Sequence, residues 1–149
     1  MTLLAALVFV VLSAIALMHA LWGVGLRWPA RDERTLVALV IGATGRSRMP
    51  SLPQCLLAAA AIFAAGLVAL ALAGLLLVRT PGILLVPAGV AATLVFLGRG
   101  LAAYLPAWRR RFAQQPFASL DTGCYGPLCL LLALAFAILL IGLPAGVHL

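Results

Sequence analysis

One carboxylate and one guanidinium frame the chemistry open to this chain. Asp121 stands in the stretch Phe117-Ala-Ser-Leu-Asp121-Thr-Gly-Cys124-Tyr125-Gly-Pro127-Leu-Cys129, at the mouth of a long apolar run, and it is the only acid outside residues 27–54. Arg99 interrupts a different apolar run. An arginine inside hydrocarbon costs about 2.5–3.5 kcal/mol on insertion scales unless it is paired or reaches the interface. Two readings follow: Arg99 pairs with Asp121, or Arg99 snorkels to the head groups while Asp121 caps a helix. His19 and Tyr125 fall at a comparable distance from their nearest polar segments, so a cluster of His19, Arg99, Asp121 and Tyr125 is the candidate site.

That cluster nominates no enzyme class. There is no Gly-rich phosphate loop, no nucleophile elbow, no His-Glu-x-x-His and no pair of buried carboxylates, and Ser13 and Ser119 have no acid–base partner in view. His19 could serve as a haem or metal ligand or a proton carrier, but no second ligand stands at a recognised spacing, so neither a metal nor a cofactor is assigned. Cys55, Cys124 and Cys129 form no Cys-x-x-Cys or zinc pattern and read as small apolar filler. Cys124 and Cys129 would lie about 140° apart around a helix, which disfavours a disulfide.

The elements that must position these groups are membrane spans. Of 149 residues, 66% are hydrophobic and 9% charged, and the mean hydropathy is +1.23. Soluble domains carry about 45–50% apolar and about 25% charged residues, so too little polar surface is available here to face water. Residues 2–26, 55–78, 83–105 and 121–143 are long enough to cross about 30 Å of hydrocarbon. The expected fold is all-α, a single domain built as an integral membrane bundle of four transmembrane helices. Residue 2 begins an uncharged run without a basic n-region, which argues against a cleaved signal peptide. Within the polar 27–54 segment, residues 35–41 are apolar but too short to span, and they read as either a short helix or a strand at the interface. Gly66 and Gly74, with the alanines around them, would allow close helix approach in lipid.

All ten basic residues are arginine. Five lie in 27–54 and three in 106–116, against Arg79 alone between the second and third spans. The positive-inside rule then places loops 27–54 and 106–116 in the cytoplasm of a bacterial inner membrane, with both termini outward. Trp22, Arg27, Trp28, Trp108, Arg109, Arg110 and Arg111 read as interfacial anchors, with the arginines placed to meet anionic head groups. No basic face interleaved with aromatics lies outside the loops, so nucleic acid is not expected as a partner.

Two blocks carry a family likeness: Met18-His19-Ala-Leu-Trp22-Gly23, and Phe117-x-x-x-Asp121-x-x-x-Tyr125-x-Pro127-Leu128-Cys129. With Arg99 as a weaker match, the chain resembles a family of small bacterial four-span membrane proteins known only as domain of unknown function 3995. The resemblance implies a four-helix membrane fold and no activity. It also implies Ser in many members where Gly126 stands here, so a role for that hydroxyl is not carried over. The functional expectation is a non-enzymatic structural or partner-binding component, meeting itself or another membrane protein. The alternatives are a small oligomeric transporter or binder of anionic ligands or lipids, and a haem or redox component.

Overall fold

The structure is a computed structural model describing residues 1–76 and 81–143. It is all-helical over these residues, and four helices are long and apolar enough to cross a membrane. The spans are α1 (Thr2–Gly23), α3 (Leu52–Leu72), α4 (Gly82–Ala102) and α6 (Phe117–Ile141). Two short helices complete the set, α2 (Glu33–Val40) before α3 and α5 (Pro106–Arg111) after α4. Helices suit these runs because lipid offers no hydrogen bonds, so each backbone group must find its partner within the segment. The chain is a multi-pass membrane protein.

The helix ends differ from the hydropathy boundaries, and capping explains why. α1 stops at Gly23 rather than residue 26: Gly25 adopts φ +94° and Leu26 N–H returns to the carbonyl of Leu21. α3 begins at Leu52, three residues before the expected 55, because Ser51 and Gln54 form a capping box. It ends at Leu72 rather than 78, where Gly74 takes φ +69° and Leu75 N–H bonds the Leu70 carbonyl. Gly74 is thus a helix stop, and a Cβ there would meet nothing within 4 Å, whereas at Gly66 it would meet the Phe9 ring at 3.2 Å. Arg79, Pro144, Gly146 and His148 carry sequence expectations but lie at or beyond positions outside the described residues.

α4 runs from residue 82 to 102 rather than 83 to 105, and the expected 106–116 loop opens with α5. The last span begins at Phe117, four residues before Asp121. The 35–41 segment resolves as helix: Asp32 caps α2, accepting from the Thr35 N–H at 2.9 Å. Glu33 then closes the segment by accepting from the Met49 N–H at 2.9 Å.

The spans pack as two close pairs, α1 against α3 and α4 against α6. The shared core holds Leu12, Leu72, Leu85, Phe136 and Leu139. Phe96 on α4 stacks on Phe136 of α6 at 5.8 Å between centroids. Where α4 and α6 converge, Gly100 and Gly126 face each other: a Cβ on Gly100 would lie 3.1 Å from the Gly126 carbonyl oxygen. This close approach brings residue 99 within reach of the start of α6.

Candidate functional site

Asp121 does not cap a helix. It lies one turn inside α6, where residues 121–125 form a wide π turn in which Gly126 N–H bonds the Asp121 carbonyl. Pro127 supplies a reason. A proline in a regular helix clashes with the carbonyl four residues earlier, here Gly123, and widening the preceding turn moves that carbonyl aside.

The wide turn directs the Asp121 side chain inward, where it is 3% exposed and the only buried charged residue among those described. Both of its oxygens are occupied. Arg99 Nη2 donates to Oδ1 at 2.5 Å, and Trp108 Nε1 donates to Oδ2 at 2.8 Å. The Arg99 guanidinium carbon also lies 5.0 Å from the centroid of the Trp108 ring, a cation–π arrangement. One carboxylate therefore ties together α4, α5 and α6. Arg99 Nη1 is buried without a hydrogen-bond partner.

The other two residues of the expected cluster go elsewhere. Tyr125 shares the wide turn with Asp121, but its hydroxyl donates to the Leu39 carbonyl of α2 at 3.3 Å. His19 Nδ1 donates to the Ile15 carbonyl at 2.8 Å and its ring packs on Trp22 at 5.2 Å, both within α1. The polar cluster is thus an ion pair with an indole, plus two separate contacts. His19 keeps Nε2 for a ligand, yet no group of three or more His, Cys, Asp or Glu that could hold a metal occurs among the described residues. The three cysteines are free.

An aromatic chain extends the site outward. Trp108 packs on Phe112 at 4.2 Å, Phe112 on Phe117 at 6.1 Å, and Phe117 on Tyr125 at 5.8 Å. Buried Phe117 presses on the backbone of Gly42, where a Cβ would come within 2.2 Å of the ring. Around this contact the two arginine-rich loops join: Gln114 N–H donates to the Gly42 carbonyl at 3.1 Å and Thr44 N–H to the Arg111 carbonyl at 3.3 Å. Both loops therefore sit at one end of the bundle.

With this arrangement in hand, comparison with known proteins is narrow. A family model described as Protein of unknown function (DUF3995) matches residues 12–136. The chain belongs to this family. No curated protein and no solved structure matches it. The DUF3995 match encloses Arg99, Trp108, Asp121 and Tyr125 together with both blocks noted in the sequence.

The anchors of this DUF3995 chain divide. Trp28 is 63% exposed and its carbonyl accepts from Trp22 Nε1 at 2.8 Å. Arg27, Arg109, Arg110 and Arg111 are exposed, the last three at the C-terminal turn of α5, where cations suit the helix dipole. Trp108, read as an anchor, instead faces Asp121. Sequence reasoning also missed Phe112 and Gly42. The signal for Trp108 is chemical: an indole N–H in an apolar setting needs an acceptor, and Asp121 is the one carboxylate available there.

Proposed function

We propose that this protein is a non-enzymatic structural or partner-binding component of a membrane, whose ion pair and indole fix the loop end of the bundle. The observation that carries this reading is the full occupation of the Asp121 carboxylate by Arg99 and Trp108. A carboxylate engaged on both oxygens and 3% exposed serves as a strut between helices. A partner surface remains on the spans themselves. Leu3, Leu7, Val10 and Leu17 form an exposed stripe on α1, and Leu131, Leu134, Ile138 and Ile141 form another on α6. Spacings of three, four and seven place each set on one helical face.

Crosslinking in native membranes tests the reading, with a crosslinked species larger than the monomer or a co-purifying membrane protein as the expected result. Recovery of monomer alone would remove its support. We further infer that the arginine-rich end faces the cytoplasm of a bacterial inner membrane, from the eight arginines of its two loops against Arg79 on the opposite connection. An alkaline phosphatase fused at Leu149 should then be active, and a cytoplasmic signal from that fusion would reverse the orientation.

A further inference from the structure

Beside the Asp121 strut lies a cavity of about 610 Å³, between the end of α4, α5 and the start of α6. Its size falls within the range of about 300–1,000 Å³ typical of small-molecule sites. Tyr104, Arg109, Arg110, Phe112, Gln115 and Asp121 line it. The charge in this lining is unevenly committed. Asp121 is neutralised by Arg99, the only ion pair among the described residues, so the floor of the cavity presents little net charge. Arg109 and Arg110 are exposed and have no carboxylate partner among those residues. Gln115 accepts from the Ser119 hydroxyl at 2.8 Å through Oε1, leaving its amide N–H groups as further donors. The cavity mouth is therefore built for an anion, and guanidinium groups match phosphate oxygens in geometry as well as charge.

The lower edge of the cavity separates a lipid from a free anion. Just past the end of α4, exposed Tyr104 stands above a face of that helix on which Leu101, Leu97, Leu94 and Val90 follow, all exposed. Steps of three and four residues keep these side chains on one stripe. The stripe runs from the cavity into the span, so a ligand with its anionic group between Arg109 and Arg110 has an apolar track directly below.

We propose that this cavity holds the phosphate of an anionic phospholipid head group, with an acyl chain lying along the Val90–Leu101 face of α4. The site is independent of whether the exposed stripes on α1 and α6 meet a protein partner.

The test uses the full chain in nanodiscs of phosphatidylcholine with a minor fraction of phosphatidylglycerol, followed by native mass spectrometry of the released protein. The wild-type chain should retain a phosphatidylglycerol molecule. R109Q/R110Q should lower that retained fraction about tenfold, given the attraction of each surface arginine for anionic lipid. R109K/R110K, which keeps the charge, should retain an intermediate fraction. R46Q/R48Q removes the same charge from the other loop, outside the cavity lining, and should lower retention less than R109Q/R110Q does. Inorganic phosphate at millimolar concentration should not displace the lipid. Equal loss in R46Q/R48Q and R109Q/R110Q would reduce the effect to general surface charge and overturn the site. Displacement by inorganic phosphate would show a free-anion site and overturn the lipid assignment.

Discussion

Trp108 donates its indole N–H to the oxygen of Asp121 that Arg99 leaves free. Trp108 comes from within a segment that hydropathy alone reads as loop, and Asp121 from the span that follows it. Because the carboxylate needs both donors to be fully satisfied at its depth, the position of α5 against α6 is part of the same arrangement as the ion pair within the span.

Removing the charge should expose that dependence. Asp121→Asn leaves Arg99 without a counter-ion, and breaking a buried pair from one side costs about 3–5 kcal/mol. Arg99 is 29% exposed along its side chain and can hydrate, so the expected loss is smaller, about 2–3 kcal/mol. The double variant R99M/D121L removes both charges and should recover part of the loss, because the Trp108 indole N–H then has no acceptor. Unfolding in mild detergent, followed by helicity and by tryptophan fluorescence, measures both. An Asp121→Asn protein as stable as wild type would mean that the pair contributes nothing.

Gly126 makes a second, steric prediction. A Cβ there would lie 2.8 Å from the Asp121 carbonyl oxygen and 2.9 Å from Ala103 Cβ. Gly126→Ser should therefore force α4 away from the wide turn and cost about 1–3 kcal/mol, as overpacking does. Ala103→Gly in the same chain removes one of the two clashes and should restore part of the stability. If Gly126→Ser proves neutral in the detergent unfolding assay, the close approach of α4 and α6 is looser than these distances require.

Asp32 makes a pH prediction outside the membrane. Hydrogen bonds from the Thr35 N–H and hydroxyl hold its carboxyl below the ordinary carboxylate range. A depressed folded-state value means that the cap contributes fully above the unfolded-state value and is lost as pH falls through the folded-state value. The α2 amides, Thr35 first, should keep constant protection from neutral pH down to the usual carboxylate range and lose it below. Amide exchange corrected for intrinsic rates measures this, and Asp32→Asn, which retains a cap oxygen, should flatten the profile. Unchanged pH dependence in that variant would assign the effect to another group.

The spans are legible in the sequence because lipid demands long apolar runs, and Arg99 with Asp121 can be named from it because few charges interrupt those runs. Helix ends are less legible, since they depend on turns such as Gly25 and Gly74 and on the Ser51–Gln54 box, none of which alters hydropathy. Composition gives no sign that Tyr125 reaches Leu39 or that Phe117 seats on Gly42. These contacts join segments about 75 to 86 residues apart in sequence, where pattern within a span carries no information. His19 and Arg99 share an estimated depth, but depth does not specify azimuth or neighbour, and α1 lies chiefly against α3.

The seam between the two arginine-rich loops has a consequence for biogenesis. Gly42 and Thr44 leave the ribosome long before Arg111, Gln114 and Phe117, the residues that meet them. A nascent chain with three spans inserted therefore carries its first loop unfinished at the membrane surface. Completion waits for the start of the last span, making the loop end of the bundle a late structure in the life of each molecule.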